Sequence, residues 1–590
     1  MNSPTSFYTS QLEKHKAEAA LLQKRIILLS TLRLLTFIVS VSAVYIAFPN
    51  WQMATVFGLI GLGIFIFFLS RYTDTKAKRQ LHRSLVSINE EELKIASGDF
   101  HHRDPGLTFQ EPKHFYSLDI DLFGKGSFFQ YLNRTSSSEG EQQLAKSLKA
   151  NTITNIEKRQ DAIKELSQNP EWIQLYAATS SLIITETPAS TIINWLKTHK
   201  TYIPKQMKWI PWVFASISIV LLALAILKIL DISVFGYWIF VGLVVTGRYL
   251  KNINSLASNS DKTKDTFKQY ASLLLQIENK TFTSELLQEK QKKIQSENKK
   301  ASVIFSEFSK HLDALDNRNN LISAIFGNGY LLSDIKNAYK VERWISTYAH
   351  KVEDWFEVVS FFDAYNSLGS YAFNHPEHVF PKITQEQSVI KATQLGHPLL
   401  NRSKRVSSDV IIKDQEFFIV TGANMAGKST FLRTVSLHIV MANVGLPVCA
   451  ESSEYSPVKL ITSMRTSDSL TDDSSYFFSE LTRLKFIVDA IDKEPYFIIL
   501  DEILKGTNST DKAIGSRKFV EKLVAGNATG IIATHDLSLC EISEELDDVK
   551  NYYFDAEIVN DELYFDYKFK KGICQNMNAS FLLKKMKIVD

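Results

Sequence analysis

The chain has 590 residues, 45% of them hydrophobic and 22% charged, with a formal net charge of +3 at neutral pH. That length exceeds what one hydrophobic core supports, so about three or four folding units are expected, and the charge is too small to argue for a nucleic-acid ligand, although it does not exclude one. Cys449, Cys540 and Cys574 are too widely spaced for a metal-ligand pattern and suit a reducing compartment.

The apolar residues are concentrated in blocks. Residues 26–48, interrupted only by Arg33, and residues 51–69, without any charge, are each about the 20 residues a helix needs to cross a hydrocarbon core. The short "PNWQ" between them makes them a predicted transmembrane hairpin within an amino-terminal segment, 1–80. Lys14, Lys16, Lys24 and Arg25 precede it, and Arg71, Lys76, Lys78 and Arg79 follow it. This bias places both flanks in the cytoplasm, and Arg33 reaches that side by snorkelling. A cleaved signal peptide fits poorly, because a second apolar run follows at once. A linker, 81–114, comes next.

Residues 115–208 are predicted to be helical: "EGEQQLAKSLKA" and "NIEKRQDAIKELS" repeat apolar residues at three and four spacing. A second apolar pair, 209–227 and 229–250, has Lys228 and Asp231 at its connection and Lys205, Lys208, Arg248 and Lys251 outside it. It reads as a second membrane hairpin, 209–250; two buried core helices are the other reading. Residues 251–380 carry long amphipathic helices, with the lysines of 290–300 on a solvated face. "HPEHVFPKI" breaks the helical pattern, and from 381 to 590 short β-like runs alternate with helices, the pattern of an α/β domain.

Within that last domain, "TGANMAGKST" follows an apolar run and precedes a helical one. Gly422, Gly427, Lys428 and Ser429 satisfy G-x-x-x-x-G-K-[ST], the phosphate loop of P-loop nucleotide hydrolases. Glycines let the backbone turn its N–H groups toward phosphate oxygens, and the helix start adds partial positive charge. Gly422, Ala423, Asn424, Met425, Ala426, Gly427, Lys428, Ser429 and Thr430 are the expected ATP-binding segment, with Ser429 also on Mg²⁺. "YFIILDE" ends in Asp501, a second expected Mg²⁺ ligand, and Glu502, the expected base for the attacking water. "GIIATHD" ends in His535, placed to sense the γ-phosphate. Lys428, Glu502 and His535 are the candidate catalytic set, and ATP and Mg²⁺ the expected cofactors.

These stretches, with "DDSSYFFSEL", "LDEILKGTNSTD" and "LGHPLL", resemble the ATPase domain of the MutS family of DNA mismatch repair proteins. "FGKGSFFQYLNRTSSSEGEQQLAKSL" and "WFEVVSFFDAYNSLGSYAF" are similar to the start of that family's core and the end of its lever helices. Beside the transmembrane helices read from the apolar runs, the resemblance implies the rest of a multidomain chain: an all-α core and lever domain, and a P-loop NTPase domain of the ABC-like, MutS type. It implies ATPase domains that pair as a homodimer, with Ser475 (or the adjacent Ser474) offered in trans to the neighbour's nucleotide. It also implies that "KGICQNMNASFLLKKMKI" supports the dimer. Ala423 and Ala426 depart from the family's usual Pro and Gly in the loop, and Leu504 and Lys505 from its Gly and Arg after the acidic pair. The second departure bears on communication between paired sites.

The first hundred residues hold the hairpin and linker where mismatch-recognising relatives carry a domain that wedges a phenylalanine into DNA. The second hairpin stands where the family inserts its DNA-gripping clamp, between descending and returning levers. The expectation is a MutS-like ATPase in the cytoplasmic membrane, multi-pass, with its soluble domains in the cytoplasm and lipid as a partner. Binding to mismatched double-stranded DNA follows from the resemblance alone. The alternative is a membrane-coupled mechanical or regulatory ATPase that binds no DNA.

Overall fold

A computed structural model of the chain describes residues 3–182, 187–295, 299–316, 320–465, 476–559, 562–575 and 588. It is mostly helical, with mixed sheets in its carboxy-terminal third.

The two amino-terminal apolar runs lie inside much longer helices, α1 (Pro4–Ala47) and α2 (Trp51–Ala96), packed side by side. Asn50 makes the turn between them, its side chain accepting from the backbone N–H groups of Gln52 and Met53, a helix N-cap. Side chains in the apolar halves, such as Phe37, Val39 and Leu59, are exposed. The polar halves dock on the helical core. Tyr8 donates to Asn374 Oδ1 at 2.7 Å, Gln11 to Glu171 at 2.8 Å, and Glu92 forms a buried ion pair with Arg134. Residues 81–96, read from sequence as linker, continue α2, because Leu85 and Ile95 bury there.

The helical core comprises α3 (Phe128–Leu132), α4 (Ser138–Lys149), α5 (Ile156–Ser167), α6 (Pro170–Ser181) and α7 (Ala189–Thr198). The chain continues through α8 (Ile210–Ile226), α9 (Ile232–Asn279), α10 (Glu285–Lys292), α11 (Ala301–Asp316), α12 (Leu321–Leu331) and α13 (Ser333–Asn374). α13 is the spine, packing against α4, α5, α6, α7, α9 and α11. One buried carboxylate fixes it to α4: Asp363 accepts from the N–H and hydroxyl groups of both Ser136 and Ser137 at 2.6–3.1 Å. Gly140 permits this approach, since a Cβ there would lie 2.1 Å from Asp363 Oδ2.

α8 and α9 are the second apolar pair. Asp231 caps α9 by accepting from the N–H of Ser233 at 2.8 Å, and α9 runs unbroken past residue 250 into the lever region. By length and composition α1, α2 and residues 232–258 of α9 are apolar enough to cross a membrane, whereas α8 is shorter, at 17 residues. The short helix α12 packs on both α8 and α9.

After α13 the chain forms β1 (Lys382–Ile383), β2 (Ser388–Leu395), β3 (Ser408–Lys413), β4 (Phe417–Gly422), α14 (Lys428–Val444), β5 (Ser452–Tyr455), β6 (Lys459–Ser463) and α15 (Tyr476–Ile491). Then come β7 (Tyr496–Asp501), α16 (Ser509–Ala525), β8 (Thr529–Ala533), α17 (Ile542–Glu545), β9 (Val549–Phe554), β10 (Glu557–Val559), β11 (Glu562–Tyr564) and β12 (Lys570–Lys571). The main sheet has the order β12-β9-β4-β8-β7-β6, parallel except for β12. β4, β7 and β8 are apolar because both faces of this sheet are covered. A four-stranded sheet, β1-β5-β2-β3, and the pair β10-β11 complete the domain.

Helix α14 lies between the main sheet and the helical core, touching α4 and α5. Its last turn is held from outside: Arg159 of α5 donates twice to the carbonyl of Asn443, at 3.0 and 2.7 Å, placing a cation where the helix's orphan carbonyls point. Gly445 ends α14 in the left-handed conformation, φ +93°, with no room for a Cβ against Arg159.

Candidate functional site

Parallel strands bring their carboxyl ends to one edge, and the loops leaving β4, β7 and β8 meet there. Asp501 and Ala533 are paired across β7 and β8, so Glu502 and His535 leave neighbouring strands side by side.

Gly422 at the end of β4 has φ +149°, and an added Cβ would come within 2.6 Å of the Phe554 carbonyl oxygen. Gly427, φ +109°, starts α14 beside the ring of Tyr567. These two glycines let the loop curl between β9 and the carboxy-terminal tail. Between them Met425 takes a left-handed conformation, φ +68°, and points outward, while Ala426 is fully buried. Ala423 is half-buried; Asn424, Ser429 and Thr430 are exposed at the mouth.

Lys428 is buried and folded back on its own loop. Its ammonium donates to the carbonyls of Gly422 at 2.7 Å and Ala423 at 3.1 Å, with His535 Nε2 3.3 Å away. Burial pushes the Lys428 ammonium below its ordinary value, and the charges of Glu502 and Asp501 oppose that. Ser429 donates to Asp501 Oδ2 at 2.8 Å; burial raises the Asp501 carboxyl, against the Ser429 hydrogen bond. Glu502 Oε1 stands 2.9 Å from His535 Nε2 and its other oxygen 3.7 Å from Lys505 Nζ. The hydrogen bond from His535 holds the Glu502 carboxyl at about 2, outweighing partial desolvation.

The donor set suits a small hard cation. Two ligands at about 2.0–2.1 Å in neighbouring octahedral positions lie about 2.9 Å apart, close to the 2.8 Å between Ser429 Oγ and Asp501 Oδ2. With Lys428, the loop N–H groups and a carboxylate ionised at any physiological pH, the edge is chemically equipped to hold a polyphosphate and orient water beside it. Ser475 and Ser474 fall outside the described residues, as does 576–587 of the carboxy-terminal segment.

Glu502 and Leu504 both have positive φ, +48° and +59°. Left-handed leucine is costly by about 1 kcal/mol, and here its side chain buries against Gly515 of α16, where a Cβ would meet Leu504 Cδ1 at 2.6 Å. Residues far upstream also reach the site, a feature sequence reasoning missed. Asp121, itself at φ +51°, pairs with Arg433 of α14 at 3.0 Å and with Arg465 at 2.7 Å. Asp119 accepts from the Arg465 N–H at 2.9 Å and from Thr462 at 2.5 Å. The only signal in the sequence was the acidic pair in "SLDIDLFG", with no indication of its partners.

Residues 418–587 match the family model described as MutS domain V. The chain is similar to "MutS protein homolog 4" of Homo sapiens, 32% identical over 235 residues, which is 38% of this chain and 24% of that protein. It is 30% identical over 214 residues to "DNA mismatch repair protein MutS 2" of Halobacterium salinarum, covering 35% of this chain and 25% of that one. Over 237 residues it is 30% identical to "DNA mismatch repair protein MutS" of Methanococcoides burtonii, 39% and 26% of the two chains. The similarity thus spans about a quarter of the length of these curated relatives.

Proposed function

Since its domain at 418–587 makes this chain a member of the MutS family, we propose that it is a Mg²⁺-dependent ATPase with a P-loop fold that works as a homodimer anchored in the cytoplasmic membrane. The observation that carries this reading is the convergence of Lys428, Asp501, Glu502 and His535 at the ends of three adjacent parallel strands.

In this reading the loop 422–430 wraps the phosphates of ATP, and Lys428 leaves its own carbonyls for the β and γ oxygens. Ser429 and Asp501 hold Mg²⁺, which when bound neutralises phosphate charge. Glu502 orients a water for attack on the γ-phosphorus and takes its proton as the bond to ADP breaks. His535 keeps Glu502 ionised and positioned, and Ser475 of a second copy closes the pocket. Arg159, Arg433 and Asp121 tie α14 to the helical core, so a shift of α14 on nucleotide binding is passed to α5 and the levers.

Membrane anchoring is supported by the exposed apolar surfaces of α1, α2, α8 and α9 and by the basic residues at their cytoplasmic flanks. The levers α9 and α13 then lead from the ATPase domain to the bilayer. The domain assignment is: a hairpin segment within 1–80, a helical core from 115, a hairpin at 209–250 in the place of a clamp, levers to 380 and the ATPase domain beyond.

A second reading, an ATPase that acts on mismatched DNA, is favoured by the names of the relatives, two of which are DNA mismatch repair proteins. ATP turnover of the purified protein in lipid vesicles, with and without homoduplex or mismatched DNA, separates the two. Stimulation by lipid and by neither duplex is expected; stimulation by mismatched duplex alone supports the second reading, and no turnover under any condition refutes both.

A further inference from the structure

Helix α12 is too short to span a bilayer, yet residues 320–333 carry no charged side chain. Its 11 residues extend about 17 Å, roughly half of a 30 Å hydrocarbon core. The carboxy-terminal half of α12 is committed to α8 and α9. Backbones meet at Gly242 and Gly329, where a Cβ on Gly242 would lie 2.3 Å from the Gly329 carbonyl oxygen, the close approach small residues allow between membrane helices. Ser218 of α8 donates to the Tyr330 carbonyl at 2.8 Å and accepts from Trp238 Nε1 at 2.9 Å, while the rings of Phe235 and Tyr330 stack at 4.4 Å. These polar groups are satisfied within the three-helix cluster, as a hydrocarbon setting requires.

Among the described residues, the amino-terminal half of α12 is open. Ile322 is 70% and Phe326 55% exposed, and Ile325 and Leu331 are exposed with them. Depth follows from the contacts. Tyr330 meets Ser218, eight residues or about 12 Å inside α8 from its basic-flanked end, whereas Lys336 lies 3.8 Å over the ring of Trp212, near that end. The chain therefore rises along α12, turns at Leu332 (φ +49°) and returns as α13 to the same side. Asn328 locks the turn by accepting from the Asp334 N–H at 2.8 Å.

We infer that α12 is a re-entrant membrane element, inserted into the cytoplasmic leaflet against the α8–α9 hairpin, with Ile322, Ile325, Phe326 and Leu331 facing acyl chains. The inference rests on the membrane reading above and extends it. The bilayer-embedded unit is a three-helix cluster, and its tip is the first turn of α13, whose 42 residues, about 63 Å, lead to the ATPase domain without a break.

Spin labels at Phe326→Cys (α12), Val244→Cys (α9) and Lys404→Cys (ATPase domain) test this. The full chain is reconstituted in phosphatidylethanolamine–phosphatidylglycerol vesicles, with relaxation by oxygen compared with relaxation by a water-soluble nickel chelate. The native cysteines are buried and remain in place. The expected result is an oxygen-to-nickel ratio at 326 within about twofold of that at 244 and well above that at 404. A nickel-accessible 326 beside an oxygen-rich 244 overturns the inference and leaves the membrane reading standing. Nickel access at both 244 and 326 removes the membrane reading itself. Protection of 326 from both reagents means that protein, such as a second copy, covers α12, and this also overturns the inference.

Discussion

Glu502 Oε1 and His535 Nε2 are 2.9 Å apart across the ends of β7 and β8, which makes the ionised glutamate the resting state of the site. Its carboxyl, held at about 2, stays charged throughout the physiological pH range, as the base proposed for water must.

Glu502→Gln keeps the shape and removes the basicity. Nucleotide binding is expected to persist, with hydrolysis slowed by about 10²–10⁴-fold, the usual contribution of a positioned base. Filter binding of radiolabelled ATP beside phosphate release checks it; unchanged turnover would assign the base elsewhere.

Arg159 is the external cap of α14, its guanidinium bonded to the Asn443 carbonyl. Arg159→Ala leaves that carbonyl short of its charged donor, and a loss of about 1–3 kcal/mol is expected, read as a lower midpoint in denaturant unfolding of the full chain.

At the joint of α4 and α13, Gly140→Ala forces a methyl group onto the Asp363 carboxylate. Overpacking of this kind costs about 1–3 kcal/mol. Because Asp363 also satisfies Ser136 and Ser137, Asp363→Ala is expected to cost more than Gly140→Ala, and paired thermal melts in detergent check the order.

His438 is fully buried in α14, its Nε2 2.9 Å from Ser453 Oγ, and burial lowers it to about 4. The folded state then keeps it neutral while the unfolded chain takes up a proton below about 6.5. Stability from this group is present above pH 6.5 and is lost as pH falls toward 4, by about 2 kcal/mol at pH 5. Melting temperature against pH between 7 and 5 should fall less steeply for His438→Gln than for the native chain.

Much of the candidate site was legible because its signals are local. A glycine spacing, a lysine and two acids at the end of an apolar run each announce themselves within about ten residues. The apolar runs of 26–48 and 51–69 were equally plain, but their helices extend well beyond them, since α1 and α2 change from exposed apolar to core-docked polar surfaces without a break. Helix α12 escaped notice because 11 uncharged residues, two of them glycines and two more Ser323 and Asn328, have neither the length of a span nor a clear amphipathic period. The Asp121–Arg433 and Arg159–Asn443 links join residues more than 280 positions apart. Nothing in single-sequence pattern reasoning connects such residues; the fold does.

The central claim is that ATP is bound and cleaved at the strand ends around Lys428. Steady-state phosphate release from Mg²⁺-ATP by the full chain in lipid vesicles, measured beside Lys428→Ala, tests it most directly. Turnover by the native protein that falls to background in Lys428→Ala is the expected result; no turnover, or equal turnover by both proteins, would contradict it.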